Sequence, residues 1–499
     1  MEYLIGIDIG TSGTKTVLFD IEGNVISSKT VEYPVYQPQN GWAEQDPDDW
    51  WKATVETLKY VSKDVNPSDI KGLGLSGQMH GLVMLDENNK VIRPSIIWCD
   101  QRTAAECEQI EEMVGHDKLI EITANPALTG FTASKIMWVK NNEPENFKRC
   151  RHILLPKDYV RFKLTGEYAT DVSDASGMQL IDVKNRCWSD EILSILDIDK
   201  SMLAKMYESC EISGKITKEA SELTGLTAGT PVAAGAGDNA SGAVGMGVVT
   251  ESKAFVTIGT SGVLFVHTND PIIDKKGRVH TFCCAVPGKW HVMGVTQAAG
   301  LSLNWFRNNL CRDLSYKQLD ELAEKIPIGS NRLIYLPYLM GERTPHLDAD
   351  ARGVFFGLSA MHTVSSMARA IMEGVTFSLR DCLEVLDEMG VHADNIMACG
   401  GGGTSKLWRQ MLADNFECDV KTITSQEGAA LGAAILGGVC AGVFESVEKA
   451  CEKIIKEKDT QTPISDNFSL YRKYYEIYKD LYIRLKDDFK KLGGIDNDL

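Results

Sequence analysis

The stretch IDIGTSGTKTVLF (Ile7 to Phe19) has the pattern of a strand, a tight turn and a second strand, and its centre recurs half a chain later. The pentapeptide Ile-Gly-Thr-Ser-Gly stands at Ile9 to Gly13 and again at Ile258 to Gly262, inside VTIGTSGVLF (Val256 to Phe265). Apolar, β-branched runs on either side of a glycine-containing turn are typical of a hairpin. Two copies in matching contexts therefore predict a chain of two related halves, each built around one hairpin.

The turn of each hairpin has the chemistry of an anion site. Glycine lets the backbone approach a phosphate closely, and consecutive N–H groups form a nest that binds anions. A purely structural turn is the alternative, because Gly and Thr are common in turns of every kind. Since the turn occurs twice, we predict that one hairpin from each half holds one end of a polyphosphate.

Length and charge narrow the class of protein. A chain of 499 residues exceeds the size of one hydrophobic core, so two or three domains are expected. A net charge of −17 argues against a nucleic-acid-binding protein, whose affinity comes mainly from Lys and Arg on phosphates. An anionic ligand is therefore expected to be held by local groups such as backbone amides, a metal ion or one lysine.

Cysteine usage and hydropathy predict a cytoplasmic protein without a membrane partner. The thirteen cysteines contain no C-x-x-C pair and do not form a disulfide framework, which suits a reducing compartment. The first residues lack the basic segment and long apolar stretch of a signal peptide. The apolar stretch from Gly428 to Phe444 is rich in Gly and Ala and predicts a tightly packed buried helix rather than a membrane span.

The order of the elements predicts α/β layers. Strands are expected at Tyr3–Ile9 and Lys253–Ile258, and a long helix at Thr363 to about Glu388. The boundary is placed before the second pentapeptide, which gives domains 1–247 and 248–499. Because no flexible linker joins them, we expect the two domains to face each other across a cleft.

The end of the chain predicts an amphipathic helix. One face of this helix collects five tyrosines and two leucines, namely Tyr471, Tyr474, Tyr475, Tyr478, Leu481, Tyr482 and Leu485. We expect this face to dock on the second half of the chain. A homodimer that uses the same helix is the other possibility left open.

Two halves with one phosphate hairpin each resemble the actin/hexokinase/Hsp70 ATPase superfamily. The resemblance implies an α/β fold of two actin-like, ribonuclease H-like domains that face each other across a catalytic cleft. It also implies that the acid of the first strand, Asp8, faces Mg²⁺ through water. Asp8 interrupts an apolar strand, and a buried carboxylate needs a partner, so a structural salt bridge is the alternative.

Two longer motifs narrow the resemblance to the FGGY carbohydrate kinases. GFTASKIMWVKNN (Gly130 to Asn142) is similar to the first FGGY signature, and GVFFGLSAMHTVSSMARAIME (Gly353 to Glu373) is similar to the second. Ser366 departs from the second signature, because an acid, an amide or His usually stands there. The remainder of the helix fits the pattern.

Within this family, the chain resembles the members that phosphorylate D-xylulose over almost its whole length. Cys99, in IIWCDQR, is a departure, because many of those members have Asn there, and it puts the exact sugar in doubt. The stretches that carry the resemblance are GLSGQMHGLVMLD (Gly74 to Asp86), LLPKDYVRFKLTGE (Leu154 to Glu167), SDASGMQLIDV (Ser173 to Val183), AGAGDNASGAVGMG (Ala234 to Gly247), LPYLMGERTPH (Leu336 to His346) and GGGGTSKLWRQMLAD (Gly400 to Asp414).

Asp238 is the candidate catalytic residue. It lies between glycines at the expected start of a helix, where the N-terminus favours negative charge. A helix cap is the structural alternative, since Asp is frequent there. The resemblance implies that Asp238 is the general base that takes the proton of the sugar hydroxyl, and that it lies at the metal ion together with Asp8.

The resemblance also implies the residues that bind the two substrates. The sugar is expected to contact Met79, His80, Asp238 and Asn239, and Asp100 is a weaker candidate whose alternative is a turn before the next helix. The nucleotide is expected to contact the first hairpin, the second hairpin, a glycine run and one lysine. These residues are Thr11, Ser12, Gly13, Gly259, Thr260, Gly401, Gly402 and Lys406.

The predicted activity is the ATP-dependent phosphorylation of D-xylulose to D-xylulose 5-phosphate, with ATP and Mg²⁺ as cofactors. A kinase for another pentulose, a polyol or a hexonate is the nearer alternative. A non-enzymatic, actin-like nucleotide-binding module is the more distant one. Neither nucleic acid nor a membrane is an expected partner.

Overall fold

Both predicted hairpins are present in the computed structural model, which describes residues 1–495. The predicted strands Tyr3–Ile9 and Lys253–Ile258 have these same bounds in the structure. The strands, in chain order, are β1 Tyr3–Ile9, β2 Gly13–Asp20, β3 Val25–Glu32, β4 Glu44–Gln45, β5 Ile70–Gly77, β6 Val83–Leu85, β7 Ser95–Ile96, β8 His152–Leu154, β9 Ala169–Asp171, β10 Ile181–Asp182, β11 Cys187–Trp188, β12 Lys205–Tyr207, β13 Ile212–Lys215, β14 Pro231–Ala233, β15 Ala236–Gly237, β16 Lys253–Ile258, β17 Gly262–Thr268, β18 His280–Cys283, β19 Trp290–Thr296, β20 Ile334–Leu336, β21 Val354–Phe356, β22 Asn395–Cys399, β23 Asp419–Ile423 and β24 Glu457–Gln461.

Helices cover the faces of the sheets. The first, α1, begins at Pro47, because Asp46 accepts a hydrogen bond from the backbone N–H of Asp48 at 2.9 Å and proline suits the first helical position. The helices are α1 Pro47–Ser62, α2 Ala104–Val114, α3 His116–Thr123, α4 Thr132–Asn142, α5 Pro144–Arg149, α6 Pro156–Thr165, α7 Val172–Ala175, α8 Asp190–Leu196, α9 Lys218–Thr224, α10 Asp238–Gly245, α11 Gly300–Leu310, α12 Tyr316–Glu324, α13 Val364–Glu388, α14 Gly400–Gly403, α15 Lys406–Phe416, α16 Gly428–Cys440, α17 Val447–Ile454 and α18 Ser465–Gly493.

The two large sheets repeat one strand order. In the first sheet the order is β13-β14-β5-β1-β2-β3, and in the second it is β18-β19-β17-β16-β22-β23-β24. In each half, three adjacent antiparallel strands, β1-β2-β3 and β16-β17-β19, are joined by two strands that add in parallel beside the first of them, and β18 is an additional strand outside β19. The repeated pentapeptide therefore marks a repeated fold, and the prediction of two ribonuclease H-like α/β domains is confirmed.

Helix α16 comes from the second half of the sequence but lies on the first sheet. Its backbone is so close to β1 and β5 that a Cβ atom at Gly6 would stand 1.8 Å from the carbonyl oxygen of Ala430. A Cβ atom at Gly74 would stand 1.9 Å from the carbonyl oxygen of Ala433. The small residues of this stretch therefore allow the backbones of the helix and the sheet to approach closely. The division of the chain between residues 247 and 248 stays a prediction.

The halves also meet beside the cleft. Helix α10 crosses α16, and an apolar cluster of the first half, with Met79 and Phe131, packs against Phe255 and Phe282 of the second. Strand β18 extends this contact, since the backbone N–H of Cys283 donates to Ser176 Oγ at 3.0 Å. The cleft is thus bounded by both halves.

The tyrosine face of α18 docks as predicted. Tyr471, Tyr475 and Tyr478 are buried against the second half, where Phe377 of α13 lies 5.4 to 6.3 Å from them between ring centroids. A homodimer stays a prediction.

All thirteen cysteines are free, as the sequence predicts. Among residues 1–495, no helix has the length and apolar character needed to cross a membrane.

Candidate active site

The structure brings Asp8 and Asp238 to the same end of the first sheet, at the two strands that flank β5. In register, Ser76 of β5 pairs with Asp8 of β1 on one side and with Ala236 of β15 on the other. Asp238 follows β15 directly and is the first residue of α10. Because β1, β5 and β15 run parallel, both carboxylates lie at the same edge of the first sheet.

Asp238 has the electrostatics of a general base. Burial, and secondarily the negative charge of Asp8, raise the pKa of its carboxyl to about 7, while hydrogen bonds from Asn239 oppose the shift. These bonds run to Asp238 Oδ1 from the Asn239 backbone N–H at 2.7 Å and from Nδ2 at 3.0 Å. The residue at the helix cap is Gly237, so the helix-cap interpretation of Asp238 is wrong. A carboxyl with a pKa near neutrality suits proton transfer.

Asp8 has an unpartnered buried oxygen. Its Oδ1 is buried without a hydrogen-bond partner. Burial raises the pKa of Asp8, and the Ser76 hydroxyl and the Lys15 ammonium partly offset this. An unpartnered carboxylate oxygen beside a second carboxylate fits a hard divalent cation such as Mg²⁺. No group of three or more His, Cys, Asp or Glu side chains that could hold a metal ion occurs in residues 1–495.

Lys15 is a cation that the sequence reasoning missed. It lies opposite Asp8 in the register of β1 and β2, and its ammonium also pairs with the carboxylate of Glu427. Glu427 directly precedes α16, so this ion pair joins the first hairpin to the second half of the chain. No sequence signal could have found the pair, because its members are about four hundred residues apart.

The turn of the first hairpin lies next to these charges. The backbone N–H of Gly10 donates to the carbonyl oxygen of Gly13 at 3.0 Å and closes the turn. Thr11 is partly buried and Ser12 is exposed at the tip. The predicted contact of Thr11, Ser12 and Gly13 with a phosphate stays a prediction.

Neighbouring side chains hold this turn in place. Gln45 Nε2 donates to the carbonyl oxygen of Thr11 at 2.7 Å, and Gln78 Nε2 donates to Gln45 Oε1 at 2.7 Å. Trp98 Nε1 donates to Thr11 Oγ1 at 2.8 Å. The turn is therefore held from three sides rather than left free to move, which suits a preformed anion site.

Met79 and His80 lie at the proposed sugar side of Asp238. Met79 packs on Gly237, where an added Cβ would stand 2.9 Å from the Met79 sulfur. His80 Nδ1 donates to the carbonyl oxygen of Gly177 at 2.9 Å, and burial lowers the pKa of His80 to about 3. The ring is therefore neutral, and its Nε2 is an acceptor suited to a sugar hydroxyl.

Residues of the second half complete this side of the cleft. Two aromatic side chains of the second half lie close to His80 and Phe131 of the first. Between ring centroids, His280 is 5.7 Å from Phe131 and Phe282 is 6.4 Å from His80, while Phe131 is 4.9 Å from His80. Burial, and secondarily the positive charge of Arg343, lower the pKa of His280 to about 3, and Arg343 makes a smaller contribution to the lowered pKa of His80. Arg343 stands in the quoted stretch LPYLMGERTPH, but the sequence reasoning assigned it no role.

Asp100 has a structural role. It is fully buried, accepts from the backbone N–H of Ala43 at 2.6 Å and forms a two-point ion pair with Arg102. Both of its oxygens are engaged by the protein, and its backbone N–H donates to the carbonyl oxygen of Ile97 at 3.2 Å in a turn before α2, while its contact with the sugar stays a prediction. Cys99 beside it is partly buried.

Two adjoining cavities run along the cleft. The larger, about 700 Å³, extends from Asp238 and Asn239 to the ends of β16, β22 and β23 in the second half. The smaller, about 470 Å³, is lined by four of the predicted nucleotide residues, Gly259, Thr260, Gly401 and Gly402. Gly401 and Thr404 belong to both cavities, so the two are separated only by the glycine run.

The smaller cavity has walls that the sequence reasoning missed. Gly300 and Asn304 come from the first turns of α11, and Tyr316 and Asp320 come from α12. The start of a helix directly after the second sheet is a signal for an anion site that could have pointed to Gly300. Lys406 is exposed at the start of α15 and lines neither cavity, so its role with the nucleotide stays a prediction.

Comparisons with known proteins agree with this architecture. Residues 3–245 match the model of the FGGY family of carbohydrate kinases, N-terminal domain, and residues 254–441 match that of the C-terminal domain. A xylulose kinase of Bacillus subtilis (strain 168) is 41% identical over 489 residues, which are 98% of each chain.

Solved structures are similar over nearly the whole chain. A xyloylose kinase from Brucella ovis has a TM-score of 0.92 at 37% identity and covers 97% of this chain and 100% of its own. A gluconate kinase from Lactobacillus acidophilus has a TM-score of 0.93 at 28% identity, with 98% and 99% covered. Matches to both domain models and to full-length relatives lead to one conclusion. The chain belongs to the FGGY family of carbohydrate kinases.

Proposed function

We propose that this protein transfers the γ-phosphoryl group of ATP to the terminal hydroxyl of D-xylulose and releases D-xylulose 5-phosphate and ADP. The observation that carries the proposal is the pair of carboxylates, Asp8 and Asp238, at one edge of the first sheet, with Asp238 lining a cavity that is bounded by both halves. The names of the full-length relatives support D-xylulose as the acceptor. A cytoplasmic location belongs to the same proposal, because ATP is the donor and thirteen free cysteines suit a reducing compartment.

In the proposed mechanism, Asp238 accepts the proton of the attacking hydroxyl. Asn239 holds one oxygen of Asp238 by two hydrogen bonds, which leaves the other oxygen free for the substrate. Met79 and His80 orient the sugar beside this oxygen, with His80 Nε2 as a hydrogen-bond acceptor. General base catalysis of this kind contributes about 10² to 10⁴ in rate.

The nucleotide is proposed to lie in the smaller cavity, with its phosphates toward Asp238. This cavity is lined by backbone without side chains at Gly259, Gly401 and Gly402, and by Thr260. Such a wall suits close contact with a ribose and phosphates. Asp8 and Asp238 would hold Mg²⁺, and Lys15 supplies a positive charge beside them. Bound Mg²⁺ neutralises negative charge on the phosphates as the phosphoryl group is transferred.

A panel of acceptors tests the sugar. We expect ADP release, measured in a coupled assay with Mg-ATP, to depend on D-xylulose and to be at least about tenfold slower in kcat/KM with D-ribulose, gluconate or glycerol. Gluconate belongs in the panel because a gluconate kinase has a similar structure. A higher kcat/KM with any of the other acceptors would overturn D-xylulose as the substrate. Filaments formed with ATP alone, without sugar-dependent turnover, would favour the actin-like module.

The pH dependence tests Asp238 as the base. Because the pKa of its carboxyl is raised to about 7, the carboxylate is a minor form at pH 6 and the main form at pH 8. We expect kcat/KM for the sugar to rise about tenfold between pH 6 and pH 8. Initial rates with a coupling system checked at each pH measure this. A constant kcat/KM over this range would contradict the assignment.

A further inference from the structure

Five ionisable side chains are buried behind the edge of the first sheet, and the proposed mechanism uses none of them. Each is at most 1% exposed. They are Lys157, Asp158, Arg161, Asp171 and Asp174. Burying ions is unfavourable unless each is paired and hydrogen-bonded. We call this group the buried charge cluster. Because its burial is unfavourable in free energy, its presence at this place needs an explanation.

The cluster is arranged around one ammonium. Lys157 Nζ lies 2.7 Å from Asp158 Oδ1, 2.8 Å from Asp171 Oδ1 and 3.1 Å from Asp174 Oδ2. Arg161 pairs with Asp158 at 3.0 Å. Burial raises the pKa of Asp174 well above its usual range, and the Lys157 ammonium opposes this shift. Two basic side chains therefore contact three acidic ones within the cluster.

One branch of the cluster reaches the residue that precedes the proposed base. Ser173 Oγ donates to Asp171 Oδ2 at 2.5 Å, and the backbone N–H of Gly237 donates to the same Ser173 oxygen at 3.1 Å. Ser209 Oγ donates to the same Asp171 oxygen at 2.9 Å. Ser173 therefore connects Asp171 to the peptide group just before Asp238, whereas the side chain of Ser209 does not.

The cluster also supports the rest of this sheet edge. Arg161 donates to the carbonyl oxygen of Ala234, at the other end of the short segment that leads to Asp238. Lys157 packs under β5, where an added Cβ at Gly77 would stand 3.0 Å from the lysine Cβ. Gly77 pairs in register with Ile9, next to Asp8, and with Gly237, next to Asp238. The cluster thus contacts both β5, between the strands that lead to the two carboxylates, and the segment that leads to Asp238.

We propose that Ser173, held by Asp171 of the buried charge cluster, is a positioning residue for the base Asp238. The proposal rests on the role of Asp238 under the proposed function. Ser173 fixes the peptide of Gly237, and this peptide sets where the carboxylate of Asp238 points. A displacement of about 1 Å in a catalytic group can cost about 10²-fold in rate, so this one hydrogen bond has a large effect on turnover.

The test compares Ser173→Ala with Ser209→Ala in the full-length protein. Both changes remove a fully buried hydroxyl that donates to the same Asp171 oxygen, so both are expected to lower the unfolding temperature by similar amounts. Ser173→Ala is expected to lower kcat about tenfold or more while KM for Mg-ATP changes less than about threefold. Ser209→Ala is expected to keep kcat within about twofold of the parent protein.

A second variant keeps the test decisive if Ser173→Ala does not fold. Ser173→Cys retains nearly the shape of the side chain but is a weak hydrogen-bond acceptor, so it is expected to lower kcat as well. A parental kcat in a folded Ser173 variant, or an equal loss of kcat in Ser209→Ala, would overturn the proposal. Absence of xylulose phosphorylation by the parent protein would overturn the proposed function instead, so the two failures are distinguishable.

Discussion

Asp238→Asn is expected to lower kcat at least about 10²-fold, because the amide has nearly the shape of the carboxyl and cannot accept the proton of the sugar hydroxyl. Asp238→Ala is expected to have at least the same effect. Mg-ATP affinity, measured by calorimetry, is expected to change much less, since most nucleotide contacts are proposed to come from the second half. A kcat within about threefold of the parent protein would remove Asp238 from the role of base.

Asp238→Asn is expected to be at least as stable as the parent protein above pH 7. The pKa of the Asp238 carboxyl is about 7 in the folded protein and close to 3.8 when unfolded. The folded state therefore binds the proton more tightly, and its stability falls as pH rises from about 4 through 7. Asparagine removes this cost. Unfolding temperatures at pH 5 and pH 8, without nucleotide, measure the difference.

Asp381→Asn is the matched control for the activity measurement. Burial raises the pKa of the Asp381 carboxyl to about 8, and this residue accepts a hydrogen bond from Tyr475 at 2.6 Å, between α13 and α18. The control also replaces a buried carboxyl of raised pKa by its amide, but outside the cleft. We expect it to keep kcat, so that loss of activity in Asp238→Asn cannot be assigned to loss of a buried carboxyl in general.

Gly245→Ala is expected to lower the free energy of unfolding by about 3 kcal/mol or more. An added Cβ at Gly245 would stand 1.9 Å from the carbonyl oxygen of Gly428, so α10 and α16 would have to separate. Because α10 begins at Asp238, this separation is expected to lower kcat as well. Denaturant unfolding and steady-state rates measure both effects.

Gly242→Ala is the matched control on the same helix. An added Cβ at Gly242 meets only the end of the Met246 side chain, at 3.9 Å, which is an ordinary contact. Alanine also favours a helix over glycine by about 1 kcal/mol. We expect Gly242→Ala to unfold at the same or a higher denaturant concentration than the parent protein. Equal destabilisation by both changes would contradict the close-contact explanation.

Much of the fold followed from local patterns in the sequence. The repeated pentapeptide predicted two related halves, and the structure has two sheets with one strand order. The apolar, β-branched runs on either side of each turn depend on residues that are neighbours in the chain, which is why their strands were predictable. The sequence also indicated that Asp8 is unusual in its apolar strand, because a buried carboxylate needs a partner.

The sequence by itself determined the two hairpins, the carboxylates of the site and, through its motifs, the kinase family. Only the tertiary structure decided what surrounds them: Lys15 beside Glu427, Ser173 between Asp171 and Gly237, and α16 on the first sheet. Except for Ser173 and Asp171, which are two positions apart, these contacts join residues that are tens to hundreds of positions apart. Their geometry is set by sheet register and by the closeness of packed backbones, and no periodicity or short motif in the chain encodes either.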